Sequence, residues 1–321
     1  MKTFLTALAL GCVTALGAMA QELPVVRAAV LKIGTVNWEL ATIAEHGLDE
    51  KHGFKLEVMP YADNGATRIA VEGGDADMAV ADWIWVARQR ADGKDYVVVP
   101  YSRAVGGVVV PEGSEAETLQ DLAGGKIGIA GGPLDKSWLI LRAYAQQEYD
   151  MDLKAETEQV FGAPPLIFKS GLGGDYAGAI NFWHFLAKMK AAGMRELISV
   201  ETAANALGLD PDVPLLGYYF KGDFLEQNDG LAQAFYEASR EAKAMLAEDM
   251  AAWEAIRPRM NASSDAQFEQ LRSDWLAGVP ARGPVDGAAA GKLLALMGEL
   301  GGADLVGKAE SLPDGLFAEV E

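Results

Sequence analysis

Gly73-Gly74-Asp75-Ala76-Asp77-Met78-Ala79-Val80-Ala81-Asp82-Trp83-Ile84-Trp85-Val86-Ala87 runs without a gap over Gly173-Gly174-Asp175-Tyr176-Ala177-Gly178-Ala179-Ile180-Asn181-Phe182-Trp183-His184-Phe185-Leu186-Ala187, 100 residues further on. Extended to Gly93 and Gly193, the register holds 8 identities in 21 positions. Average composition would give about one or two. The identities fall at Gly73, Gly74, Asp75, Ala79, Trp83, Ala87, Ala91 and Gly93, and Arg88 and Arg90 stand over Lys188 and Lys190. The same offset pairs Trp38 with Trp138 and Tyr61 with Phe161. Upstream, Lys32-Ile33-Gly34 matches Lys126-Ile127-Gly128 at an offset of 94, and the difference fits an insertion within Ala130-Gly131-Gly132-Pro133-Leu134-Asp135. Self-similarity over this length predicts two copies of one supersecondary unit.

The local pattern says what that unit is. Residues 25–33 are β-branched and end at a glycine, and a helical spacing of Leu40, Ile43, Ala44 and Leu48 stops at His52-Gly53. A strand at 54–59, a helix opening at 64–67, a strand at 77–81, a helix at 83–91 and a strand at 96–100 follow. Strands alternating with helices give βαβ units and a mainly parallel sheet, so each half is expected to be a small α/β lobe. From about residue 222 the chain turns helical. Leu231, Phe235, Ala238, Ala242, Met245, Leu246, Trp253 and Ile256 share one face of what reads as a single long helix ended by Pro258, with further helices at 264–277 and 286–300.

Length and composition agree with two lobes. The chain has 321 residues, half of them hydrophobic, and a net charge of −19. That is enough for about two domains and is unlike a disordered or collagen-like composition. Excess acid argues against a protein whose main task is to hold nucleic-acid phosphates. The one cysteine, Cys12, excludes disulfide scaffolds, Cys-rich zinc sites and iron–sulfur clusters. Cys12 falls in a segment with the anatomy of a secretory signal peptide: Lys2, an apolar stretch over 4–17, and Ala18-Met19-Ala20 before Gln21. Residues 1–20 are therefore expected to be removed on export to the periplasm, a lipoprotein site at Cys12 and an uncleaved anchor being the alternatives.

Open parallel sheets take ligands beyond the carboxyl ends of their strands. In the first half those ends carry Asn37, Trp38, Glu39, Asn64, Thr67, Asp82 and Trp83; in the second, Asp135, Ser137, Asn181 and Trp183. Trp83 and Trp183 occupy equivalent loops, where they could stack on a ring or enclose a cation, or could instead be wedges between helix and sheet. Trp38 has the same two readings. The acids Glu39, Asp82 and Asp135 favour a positive or hydroxyl-rich ligand, and free N–H groups at 64–67 favour an anionic oxygen. Arg103, where the first half gives way to Gly106-Gly107-Val108, could grip a carboxylate or sulfonate or pair with an acid at the junction. Enzyme signatures are missing: His46, His52 and His184 have no metal spacing, and no nucleophile elbow, phosphate-binding loop or dinucleotide fingerprint stands between a strand and a helix. No cofactor is expected.

The strand at 30–34, the segment Ala70-Val71-Glu72-Gly73-Gly74-Asp75-Ala76-Asp77 and the segment Glu117-Thr118-Leu119-Gln120-Asp121-Leu122-Ala123-Gly124-Gly125-Lys126-Ile127-Gly128 together resemble the substrate-binding proteins of the nitrate/sulfonate/taurine family, which also includes binders of thiamine precursors. The resemblance covers about residues 25–200. It implies a type II periplasmic-binding-protein fold of two α/β lobes with the ligand cleft between them. Lobe one would be 21–103 plus 203–321, and lobe two 104–202. It further implies a monomer that closes about a hinge and delivers its ligand to an ABC permease and its ATPase, without inserting in the membrane. Asn37-Trp38-Glu39 and Asp82-Trp83 tilt the expected ligand from nitrate or a small sulfonate towards a larger aromatic or amine-bearing molecule, a small anion being the alternative. Competing functions are an enzyme on the same fold, of the thiamine-pyrimidine or menaquinone synthesis kind, and a binding protein that feeds a sensor.

Overall fold

The computed structural model describes residues 22–321; the expected signal peptide, with Cys12 and the cleavage site, lies outside the described residues. The first half runs β1 (Val25–Leu31), α1 (Val36–Glu45), α2 (Leu48–Lys51), β2 (Lys55–Tyr61), α3 (Asn64–Gly73), β3 (Met78–Asp82), α4 (Trp83–Ala91) and β4 (Tyr96–Ser102). The second begins with β5 (Gly107–Val110) and then repeats the order as β6 (Lys126–Ala130), α5 (Lys136–Tyr149), β7 (Glu158–Gly162), α6 (Pro164–Leu172), β8 (Gly178–Asn181), α7 (Trp183–Ala191) and β9 (Arg195–Ser199). After α8 (Val200–Ala206), β10 (Leu216–Lys221) returns to the first sheet, followed by α9 (Gly222–Gln227), α10 (Leu231–Glu248), α11 (Met250–Ile256), α12 (Asp265–Ala277) and α13 (Gly287–Val306).

The strand orders are β2-β1-β3-β10-β4 and β7-β6-β8-β5-β9, one arrangement built twice. In each sheet four strands point the same way, and the fifth, β10 or β5, lies antiparallel between its neighbours. Each of these fifth strands is the first strand laid down after the chain changes sheets, between Ser102 and Gly107 and again between Ser199 and Leu216. The repeat identities are explained by backbone and core. Gly74 and Gly174 have φ of 84° and 81°, and Gly93 and Gly193 have 91° and 97°, a region that costs side-chain-bearing residues strain. Ala79, Ala179, Ala87 and Ala187 are fully enclosed.

The single long helix expected over 231–256 is two helices. Asp249 adopts an extended conformation and caps α11, its carboxylate accepting from the N–H of Ala251. The last helix continues to Val306 through a break at Gly302. The C-terminal helices touch both halves: α12 lies on α7, and α13 lies on α4 and α5. The end of the chain comes back to the first sheet, where Val98 N–H donates to Leu316 O and Ala318 N–H donates to Val98 O.

Candidate functional site

A cavity of about 330 Å³ lies between the carboxyl ends of the two sheets, within the usual range for small-molecule sites. The first half supplies the end of β1 and its loop (Ala29 to Leu31, Gly34 to Val36), the start of α3 (Asn64, Thr67, Arg68), the end of β3 (Val80 to Asp82) and Tyr101 of β4. The second half supplies the starts of α5 (Asp135, Lys136, Ser137) and α7 (Phe182, Trp183, His184). Ala104 to Gly106 of the first crossing, and Leu215 and Leu216 of the second, complete the wall.

Three of the helices that open here already carry an acid cap. Asp82 accepts from Trp85 N–H at 2.9 Å, Asp135 from Trp138 N–H at 3.0 Å and Asp63 from Ala66 N–H at 2.9 Å. The α3 start is thus less open to a ligand anion than the sequence suggested, because Asp63 occupies one of its donors. Phe182, at the corresponding place before α7, has no side-chain acceptor, so no side chain caps the first turn of that helix. Lys136 Nζ reaches across from the second half to Asp82 Oδ2 at 3.0 Å. Arg68 lies with its guanidinium 4.0 Å over the ring of Trp85. Burial raises the Asp135 carboxyl above its ordinary range.

Six of the sequence-derived candidates line the cavity: Asn64, Thr67, Asp82, Asp135, Ser137 and Trp183. The other six do not. Asn37 donates to Leu31 O and Gly34 O, both at 2.8 Å, and ties down its own loop. Trp38 is 2% exposed, edge-on to Trp183 at 5.7 Å and to Trp253 at 6.2 Å. Glu39 is fully buried: it pairs with Lys243 and accepts from Tyr218 Oη at 2.8 Å and Ser239 Oγ at 2.6 Å. Trp83 is enclosed in the core against Phe317, 5.6 Å between ring centres, so the symmetric pair of cleft tryptophans does not form. Arg103 pairs with Asp212 at 3.0 Å and Glu201 at 3.5 Å, the junction reading rather than the ligand reading. Asn181 is 2% exposed and donates to Pro164 O at 3.0 Å, which binds the end of β8 to the start of α6.

Sequence reasoning missed Arg68 and Tyr101 as lining residues, and it placed Lys136, Phe182 and His184 on strand-end loops without choosing them as ligand contacts. Arg68 was within reach, since it stands four residues after Asn64 on the same helix face. His184 is half-buried, and burial, with Lys188 nearby, brings its pKa down to about 4. It is therefore neutral at pH 7, whereas in the unfolded chain it titrates at its ordinary 6.5. Between those values the unfolded state binds the extra proton, so this contribution is complete above pH 6.5 and is lost as pH falls towards 4. His184→Gln is expected to remove a pH-dependent part of stability of about 3 kcal/mol. Denaturant midpoints of both proteins across that interval measure it; parallel curves would contradict a buried neutral imidazole.

Two α/β lobes of one topology, joined by two crossings and enclosing a cavity at their strand ends, define the periplasmic-binding-protein fold. Within it the chain belongs to the NMT1/THI5-like family, whose profile matches residues 40–251. No curated protein matches the chain in sequence. Among solved structures it is similar to the periplasmic aliphatic sulphonate binding protein SsuA from Escherichia coli, at 18% identity and a TM-score of 0.69 over 88% of this chain and 94% of that one. It is also similar to the alkanesulfonate-binding protein SsuA from Xanthomonas axonopodis pv. citri bound to MOPS, at 17% identity and 0.65 over 92% and 98%. A Candida albicans gene product with the generic periplasmic binding protein structural fold aligns at 13% identity and 0.60 over 92% and 97%. At these identities the likeness establishes the fold, and the resemblance read from the sequence is upheld. Among the described residues no helix is long and apolar enough to cross a membrane, and no group of three or more His, Cys, Asp or Glu is placed to hold a metal ion.

Proposed function

We propose that the chain is the periplasmic solute-binding component of an ABC importer, not an enzyme. It would capture a small organic ligand between its lobes by hinge closure and pass it to a membrane permease. The observation that carries this reading is the cavity wall itself, made by helix starts and strand ends from both halves. Contacts of that kind exist only when the lobes are together, and they are what allows a ligand to drive closure. The division into lobe one (residues 21–103 plus 203–321) and lobe two (104–202) belongs to the same proposal, with the helices after residue 257 resting on both. Tyr101, Phe182, Trp183 and His184 give the cavity aromatic walls, which suits a ligand with a flat or apolar body.

Native mass spectrometry of protein purified from the periplasm should show a bound small molecule. Adding that molecule to stripped protein should shrink the radius of gyration in solution scattering and shift tryptophan fluorescence. Trp183→Phe should remove most of the fluorescence change while leaving the contraction, because Trp183 is the tryptophan on the cavity wall. An unchanged radius at saturation would exclude hinge closure, and turnover of the bound molecule would favour an enzyme.

A further inference from the structure

The charges of the cavity do not cancel within the protein. Lys136 and Asp82 satisfy each other at 3.0 Å. Arg68 forms no ion pair among the described residues; its guanidinium lies 4.0 Å from the centre of the Trp85 ring, and its N–H donors have no carboxylate partner there. Asp135, on the opposite lobe, forms no ion pair among the described residues either. Its carboxylate caps α5, accepting from Trp138 N–H with Ser137 N–H also bonded to it, and the neighbouring Lys136 is committed to Asp82. A cation on one wall and an acid on the other thus face the same cavity without an ion-pair partner among the described residues.

We infer that the ligand of this cleft is amphoteric, its acid group held by Arg68 and its amine by Asp135. The inference rests on the binding-protein reading above. A ligand with an acid alone would leave Asp135 enclosed and uncompensated, and one with an amine alone would do the same to Arg68, at a cost in each case. A ligand with both compensates each wall. Guanidinium and carboxylate suit that division, since the planar fork of arginine matches an oxyanion in bidentate fashion and an aspartate accepts from an ammonium. Because the two groups stand on different lobes, each charge of the ligand would pull on a different half. Asp82 and Asp135, which in the sequence favoured a positive or hydroxyl-rich ligand, then have distinct tasks: Asp82 steadies Lys136, and Asp135 receives the ligand.

Four probes with one body separate the charges: phenylalanine with both, hydrocinnamate with the acid only, phenethylamine with the amine only, and phenethyl alcohol with neither. Calorimetric titration of the purified chain should show phenylalanine binding at least about tenfold more tightly than either singly charged probe. Arg68→Gln should reduce phenylalanine to the affinity of phenethylamine. Asp135→Asn, which keeps a good helix cap, should reduce it to that of hydrocinnamate. The assignment is overturned if a singly charged probe equals phenylalanine, or if either variant leaves phenylalanine binding unchanged. Equal binding of phenethyl alcohol and phenylalanine would keep the cleft as a binding site and discard the charge pairing. No heat from any of the four would discard the cleft reading together with the pairing.

Discussion

Lys243→Met is expected to cost about 3–5 kcal/mol of stability, the loss typical of breaking a buried ion pair from one side. The ammonium is 3% exposed and its partner Glu39 is fully enclosed. Lys243 sits on α10 and Glu39 on α1, so the pair fastens the C-terminal helices to the first lobe. Tyr218 of β10 and Ser239 donate to the same carboxylate, and Lys243 also donates to Ser239 Oγ at 2.7 Å. Burial lowers the pKa of Lys243, with Glu39 opposing the shift. Without the ammonium, Glu39 keeps two hydroxyl donors and no counter-charge. Glu39→Leu combined with Lys243→Met should therefore recover much of the loss, since an apolar pair of similar volume removes the desolvation penalty. Urea unfolding of the two single variants and the double variant gives the coupling directly. Singles that lose less than about 1 kcal/mol, or a double that loses the full sum, would show that the network is not a closed unit.

The ring of Tyr101 connects this network to the cavity. Lys243 Nζ lies 5.1 Å from the centre of that ring, which itself lines the cavity wall. Glu39 thus supports the site from behind.

The fold was legible because the repeat records what a backbone needs. A glycine at positive φ and an alanine under a helix are constraints that each copy satisfies locally, so Gly74 with Gly174 and Ala79 with Ala179 align in sequence and in space. The antiparallel strands β5 and β10 were not legible from that repeat, because they belong to the crossings rather than to the repeated unit. The site was half legible for a related reason. Strand ends and helix starts are local features, and the residues read from them, Asp82, Asp135, Ser137 and Trp183, line the cavity. Where a side chain turns from there depends on distant partners. Glu39 is claimed by residues 179 to 204 positions away. Trp83 meets Phe317, from a C-terminal segment that has no counterpart in the second half, whereas Trp183 meets Trp38 across the molecule. Equivalent residues in a repeat share a backbone position and need not share surroundings.

Trp38 carries the second large prediction. Its ring stands edge-on to Trp183 at 84° and to Trp253 at 74°, and Trp253 is edge-on in turn to Trp275, so four tryptophans from α1, α7, α11 and α12 form one cluster. Trp38→Ala should cost about 3–5 kcal/mol, the usual range for emptying an enclosed aromatic site. The cluster belongs to both lobes and to the C-terminal helices, so the loss should also weaken their cooperation. Unfolding followed by tryptophan fluorescence and by far-ultraviolet dichroism should superimpose in the wild type and separate in the variant. Trp183 would lose its backing as well, and ligand affinity should fall although Trp38 itself does not line the cavity. Trp38→Phe keeps an edge-on ring and gives up only the 3.3 Å donation from Nε1 to Arg259 O, so it should retain most of the stability and the single transition. If Trp38→Ala unfolds in one step with a loss under about 1 kcal/mol, the four rings are separate packing contacts.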